Sequence, residues 1–155
     1  GLAYAITHPN SEVYLVDSSR KKTDALKQII DGLNFSKKIF VINDRIENIA
    51  HKDLYRNNFD IATTRAVGSP STVAEYILPM LNKSGNGLLY CGKWNKKDEV
   101  KIKNSLEILN GSITEIKKTQ LPKSKGERNI IFIKLEKNCP NSYPRGIGKP
   151  SKYPL

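Results

Sequence analysis

Short apolar runs alternate with helical patterns along this chain of 155 residues, and this alternation limits its fold more than any other feature. The first run, residues 13–16, is rich in β-branched and aromatic residues and ends at Asp17. Such runs are typical of strands that are buried on both faces of a parallel sheet. A helical pattern follows at once, and Ser18 or Ser19 is suited to cap its first turn.

The same analysis extends to the rest of the chain. We predict strands at residues 13–17, 38–42, 59–64, 88–91, 112–121 and 129–135, and helices at 1–8, 20–33, 72–82 and 97–110, with a short helical turn after residue 43 and a loop at 85–87. Strands that alternate with helices predict an α/β fold with a mostly parallel sheet. The last two strands have no helix between them, so one of them is expected to be antiparallel. We divide the chain into a main domain, residues 1–137, and a Pro/Gly-rich tail, residues 138–155.

Charge is the next constraint on function. The net charge is +11, and residues 116–155 contain ten Lys and Arg against two Glu. This excess of positive charge predicts a polyanionic partner. Nucleic acid is the favoured candidate, and an anionic membrane surface is the second. Two isolated cysteines and two isolated histidines match no metal or redox spacing. No apolar run reaches membrane-spanning length and no signal peptide is visible, so we expect a cytoplasmic protein.

Ligands of open α/β sheets bind outside the carboxyl ends of the strands. In this sequence, that rule selects Asp17 and the stretches 44–47, 64–66 and 91–94. Asp17 is suited to accept hydrogen bonds from ribose hydroxyls, but a simple turn or helix-cap role explains it equally well. No serine lies on a glycine-flanked elbow, so a hydrolytic triad is disfavoured and a cofactor-dependent transferase is favoured.

Several motifs at these positions resemble one family. The opening G-L-A-Y-A-I-T-H-P-N-S-E-V-Y-L-V-D-S-S-R-K-K resembles the first motif region of the bacterial small-subunit ribosomal RNA guanine-N7 methyltransferases, also called glucose-inhibited division protein B. The elements D-R-I-E at 44–47, F-D at 59–60 with T-R-A-V at 64–67, G-E-R-N-I-I at 126–131 and the Y-P-R ending from 143 continue the likeness. Their order and spacing together are specific.

The resemblance implies a class I S-adenosylmethionine-dependent methyltransferase, Rossmann-like in architecture. Carried over by matching positions, Asp17 faces the ribose, Ile46 and Glu47 meet the adenine, and Arg65 lines the cofactor pocket near the reacting centre. Alternatives stay open: Ile46 as a core residue, and Arg65 as an RNA phosphate contact or an ion-pair partner of Glu47.

The implied substrate is guanine N7 of small-subunit ribosomal RNA, either as RNA alone or within an assembling subunit, bound by a monomer. N7 has a free lone pair and no proton, so in-line displacement needs orientation rather than a catalytic base or a metal. We expect RNA phosphates to meet the basic residues of the last quarter: Lys117, Lys118, Lys123, Lys125, Arg128, Lys134, Arg145, Lys149 and Lys152. The alternative is that these charges only solubilise the surface. Trp94, Tyr143 and Tyr153 are candidates for base stacking, and packing of the tail explains the tyrosines equally well.

Two departures qualify the resemblance. The family's D-x-G-[ST]-G-x-G loop lies before the position of Gly1, so this sequence lacks the first strand and that loop, and we expect weak or no cofactor binding without them. The stretch Cys91 to Trp94 stands where many members have A-L-K-G, so no role is assigned to Lys93. A non-enzymatic RNA-binding module is the main rival hypothesis, and a nicotinamide-dependent oxidoreductase is a weaker one.

Overall fold

A computed structural model describes residues 1–33, 38–65, 67–122 and 126–155. The chain divides into two compact units, the first spanning Gly1–Asn48 and the second Ile49–Leu155. Each unit contains its own sheet. The α/β fold is confirmed in both.

The first unit is built on two parallel strands. Its elements are α1 (Leu2–Thr7), β1 (Val13–Asp17), α2 (Arg20–Gly32) and β2 (Ile39–Asn43), with α3 (Ile46–Ile49) at the division between the units. Strands β1 and β2 pair in register from Val13 opposite Ile39 to Asp17 opposite Asn43. A small core of Ala5, Val13 and Leu15 holds these elements together.

The second unit contains a four-stranded sheet in the order β3-β4-β6-β5. Its elements are β3 (Phe59–Arg65), α4 (Pro70–Ile77), a 3₁₀ turn (Leu78–Met80), β4 (Leu81–Cys91), α5 (Lys96–Ile108), β5 (Gly111–Gln120), β6 (Glu127–Leu135) and α6 (Lys149–Lys152). Strands β3 and β4 are parallel, and β6 runs antiparallel to both of its neighbours. The prediction of one antiparallel strand among the last two is therefore confirmed.

Alternation along the strands decides which sheet face packs against the helices. Leu89, Ile131 and Ile133 are almost completely buried, whereas Tyr90 is 47% exposed. A Cβ atom on Gly87 would lie 2.7 Å from Ile133 and 2.8 Å from Ile77 of α4, so this face of β4 lies directly under that helix. The next residue along a strand points to the other face.

Helix α4 forms where its caps and apolar spacing predict. The Ser69 hydroxyl accepts a hydrogen bond from the backbone N–H of Thr72, and Pro70 occupies the first turn. The α-helix ends at Ile77 and continues as a 3₁₀ turn containing Pro79, whereas the sequence predicted a kinked helix as far as residue 82. Proline removes the hydrogen bond that would continue the helix.

Other predictions were wrong in detail. The predicted loop at 85–87 lies inside β4, where the pairing with β3 jumps from Phe59 opposite Leu81 to Ile61 opposite Asn86. The intervening residues form a bulge, which explains the turn-like composition without a break in the strand. Strand β4 also begins at Leu81, earlier than the predicted start at residue 88.

Gly85 provides a test of this bulge. A Cβ atom there would lie 2.5 Å from the backbone oxygen of Phe59, which cannot move without disturbing β3. We expect Gly85→Ala to lower the free energy of unfolding by about 1–3 kcal/mol. Chemical denaturation measures the change.

Gly92→Ala is the matched control, because nothing lies within 4 Å of a Cβ at that position. Its effect should stay within about 0.5 kcal/mol. Equal stability of the two variants would contradict the bulge geometry.

Candidate cofactor and RNA-binding residues

Asp17 is the last residue of β1, and one of its carboxylate oxygens is hydrogen-bonded to the backbone. One carboxylate oxygen accepts a hydrogen bond of 2.8 Å from the N–H of Ser19, just before α2. The other oxygen lies 3.4 Å from the Nζ atom of Lys22, and the Asp17 side chain is 31% exposed. The turn role is therefore present, yet the second oxygen keeps acceptor capacity towards solvent, as a ribose hydroxyl requires.

The neighbouring strand end lies beside Asp17 in the same unit. Asn43 is the register partner of Asp17, and its side-chain amide donates to the Asp17 backbone oxygen at 3.1 Å. Asp44 accepts bonds from the N–H of Arg45 and from the Asn48 side chain, which fixes the start of α3. Ile46 is half-buried and Glu47 is 4% exposed. The structure thus brings three of the four predicted cofactor residues to one edge of one small sheet.

Arg65, the fourth, belongs to the second unit. It is the last residue of β3, it is exposed, and it pairs in register with Tyr90 of β4. Beyond β4, the Asn129 side chain donates a 2.7 Å hydrogen bond to the backbone oxygen of Gly92, which holds the start of the following loop. Burial, together with the nearby Asp98 carboxylate, raises the pKa of the Cys91 thiol. A protonated thiol is a poor nucleophile, so this edge offers no reactive cysteine at neutral pH.

Among the predicted RNA-binding cations of the β5–β6 hairpin, Lys117 and Lys118 are exposed and Lys134 is half-buried, and all three form ion pairs. The Nζ atom of Lys118 lies 2.6 Å from Glu127, and these contacts, with a hydrogen bond from Asn129, lower the pKa of Glu127. Lys117 lies 3.4 Å from Glu115 and 5.1 Å from the centre of the Phe132 ring. Lys134 lies 3.4 Å from Glu136. Exposed pairs of this kind are weak, so they leave the cations available to a stronger anion.

The remaining predicted cations divide into two groups. Lys149 and Lys152 are exposed on α6, and Arg128 is exposed on β6. Lys123 and Lys125 lie outside the described residues. Arg145 is different, because its guanidinium donates to both oxygens of the completely buried Glu75 carboxylate at 2.7–3.2 Å. This geometry gives Arg145 a structural role, and we leave it out of the proposed RNA surface.

Sequence reasoning did not find two residues that hold the C-terminal segment. Glu75 sits among apolar neighbours in a helical pattern, and Arg56 lies in a stretch without clear periodicity. Arg56 donates to four backbone oxygens, those of Ala50, Cys139, Pro140 and Tyr143, at 2.9–3.1 Å. A charged residue at an inward helical position was the one available signal for Glu75. These contacts place residues 139–155 within the second unit.

The described parts of the chain contain neither a metal-binding cluster nor a membrane-spanning helix. There, no group of three or more His, Cys, Asp or Glu side chains is arranged to hold a metal ion. No helix among the same residues is long and apolar enough to cross a bilayer.

Comparison with known proteins decides the family. Residues 1–131 match the family model described as GidB, rRNA small subunit methyltransferase G. This chain belongs to that family. Curated relatives of the same name from Prochlorococcus marinus include one from strain MIT 9515 at 61% identity and one from strain MIT 9312 at 63%, each matched over the whole chain. The chain spans 65% of the length of either relative.

Solved structures confirm the class I methyltransferase fold. The M. capricolum protein TrmK, in complex with S-adenosylhomocysteine, matches 87% of this chain and 57% of its own, with a TM-score of 0.63 at 14% identity. The mitomycin 7-O-methyltransferase MmcR matches 86% of this chain and 44% of its own, with a TM-score of 0.64 at 10% identity. The family membership and the fold class inferred from the sequence are both confirmed.

The role of Arg145 is testable by stability. We expect Arg145→Ala to lower the free energy of unfolding by about 3–5 kcal/mol, because it leaves the buried Glu75 carboxylate unpaired. Urea denaturation of the intact protein measures the loss.

Lys149→Ala is the control, since Lys149 is exposed and no ion pair of it is present among the described residues. Its stability should match that of the wild type within about 0.5 kcal/mol. If Arg145→Ala were as stable as the wild type but bound RNA more weakly, Arg145 would be an RNA contact and not a structural residue.

Proposed function

We propose that the intact protein transfers the methyl group of S-adenosylmethionine to N7 of a guanine in small-subunit ribosomal RNA. Membership of the methyltransferase G family over residues 1–131 is the observation that carries this proposal. The fold supports it, since TrmK, a protein of the same fold, was solved with the product form of that cofactor. We infer a cytoplasmic enzyme that acts as a monomer on this RNA, either alone or within an assembling subunit.

In this proposal, the strand ends of the first unit hold the nucleoside part of the cofactor. The Asp17 oxygen that faces Lys22 also accepts a bond from ribose, and the backbone around Ile46 and Glu47 borders the adenine. The buried Glu47 and the Asp44 hydrogen bonds keep that backbone rigid. Arg65 lines the pocket close to the reacting centre. The donor set fits a nucleoside, because it combines one acceptor carboxylate with an apolar border.

The proposed methyl transfer needs no general acid or base from the protein. When bound, the cofactor supplies a methyl group on a positively charged sulfur. The acceptor N7 carries a lone pair and no proton, so no side chain has to remove one. This agrees with the raised pKa of the Cys91 thiol at the strand edge, which keeps a competing nucleophile protonated. The chain's own task is to orient the base and to exclude water.

The RNA is bound mainly through phosphates by cations of the second unit. This unit carries nineteen of the Lys and Arg residues against nine Asp and Glu. The proposed contacts are Lys117, Lys118, Lys123, Lys125, Arg128, Lys149 and Lys152. The rival hypothesis, an RNA-binding module without catalysis, shares this surface and differs only in lacking cofactor binding.

Calorimetry of the intact protein tests the cofactor site. We expect Arg65→Ala to weaken S-adenosylmethionine binding by about 10-fold or more, through loss of a charge-assisted contact. Arg20→Ala is the matched control, because the Arg20 side chain is 87% exposed and pairs only loosely with Asp24. Equal affinity of both variants would remove Arg65 from the pocket. Absence of binding by the wild-type protein would favour the non-catalytic module.

Salt dependence tests the RNA surface. If several lysines contact phosphates, the logarithm of the RNA affinity should fall linearly with the logarithm of salt concentration. Replacing Lys149 by Ala should reduce the slope by about 1 and weaken binding similarly for all sequences. Fluorescence anisotropy with a labelled RNA measures both. A slope that does not change in the variant would place α6 outside the interface.

A further inference from the structure

Tyr90 is an exposed aromatic residue at the carboxyl end of a parallel strand. It lies three residues after Gly87, whose backbone faces Ile77 of α4, and the alternation of the strand therefore directs Tyr90 to the opposite sheet face. Its ring stays 47% exposed, although its neighbour Leu89 is 2% exposed. Among the described residues, this exposure leaves the aromatic ring available for contact with a ligand.

Register places Tyr90 in a row that crosses the whole sheet. Tyr90 pairs with Arg65 on β3 and with Ile130 on β6, and Ile130 pairs in turn with Lys117 on β5. Register partners share one face of a sheet. The contact between Lys117 and the Phe132 ring confirms that Lys117 points to the face that carries Ile130 and Phe132. One face of the sheet thus presents a row of four side chains across its strands, in the order Arg65, Tyr90, Ile130 and Lys117.

The spacing of this row suits a nucleotide. Neighbouring strands lie about 4.8 Å apart, so Arg65 is about 5 Å from Tyr90 across the sheet and Lys117 about 10 Å on the other side. Proteins that bind single-stranded nucleic acid stack bases on aromatic rings and hold the phosphates with nearby cations. The row combines these two features. The excess of Lys and Arg in this unit supplies the complementary charge.

We propose that the acceptor guanine of the RNA stacks on the ring of Tyr90, between Arg65 and a phosphate held by Lys117. This rests on the proposed function, because Arg65 is the residue assigned to the cofactor pocket near the reacting centre. Tyr90 is then a positioning residue, since unstacked bases of single-stranded RNA are bound by stacking on aromatic side chains. Stacking requires the aromatic ring of Tyr90 and does not require its hydroxyl group.

Binding of an RNA oligonucleotide to the intact protein tests the proposal without relying on activity. The probe is a single-stranded RNA that contains the acceptor guanine, measured by anisotropy in the absence of cofactor. We expect Tyr90→Ala to raise the Kd about 10- to 100-fold, as loss of base stacking does elsewhere. Tyr90→Leu, which keeps apolar bulk in the strand, should show the same loss. Tyr90→Phe and Tyr90→Trp should bind within about twofold of the wild type, because both keep a ring.

Two further readouts separate stacking from a structural role. Methyl transfer to small-subunit RNA should fall in Tyr90→Leu chiefly through KM, while S-adenosylmethionine affinity and the thermal midpoint stay those of the wild type. Val100→Ala is the control, because Val100 is 58% exposed on α5, the helix that lies beside α4.

The outcomes are distinct. If wild-type protein methylates the RNA and Tyr90→Leu binds and methylates equally well, the stacking proposal is overturned and the function stands. Equal losses in Tyr90→Phe and Tyr90→Leu would also overturn it, since the ring would not be the determinant. If wild-type protein transfers no methyl group, the proposed function fails, and with it the identity of the stacked base as the acceptor.

Discussion

The fully buried carboxylate of Glu75 is the charge around which the C-terminal segment of the second unit is arranged. Removing an ion from water costs several kcal/mol, and this cost is recovered only when the partner geometry satisfies its lone pairs. Arg145 meets this demand with its backbone N–H at 2.8 Å and two guanidinium nitrogens. The same guanidinium also donates to the backbone oxygen of Tyr153 at 2.7 Å. One ion pair therefore fixes α4 and two separate points of an irregular segment.

Arg56 meets a second requirement of that segment. Irregular chain leaves backbone oxygens that no strand ladder or helix can pair. The guanidinium of Arg56 supplies donors to three of them, those of Cys139, Pro140 and Tyr143. Together these two arginines show why net charge overstates the surface that RNA can reach, since part of the positive charge stabilises the fold.

The sequence could predict features that depend on local periodicity and not those that depend on distant partners. The strands of both sheets and the antiparallel hairpin were found because alternation and turn residues lie close together in the chain. The role of Arg145 was missed because its partner Glu75 is far away in sequence. The residues next to a cation in a basic tail do not indicate whether its side chain is buried or exposed. Asp17 shows an intermediate case: its turn role was predicted and the structure shows the turn hydrogen bond, whereas its contact with a ribose stays a prediction.

The row of Arg65, Tyr90 and Lys117 exists only through register, because its members come from three strands. A slip of one residue in β4 would turn Tyr90 towards α4 and bring Leu89 to the surface. Gly87 prevents that slip, since only a residue without a Cβ leaves room for Ile133 and Ile77 at that point. The close packing that sets the buried face therefore also sets the exposed one. In this way the position of a glycine under α4 determines which side chains stand beside Arg65 on the opposite face.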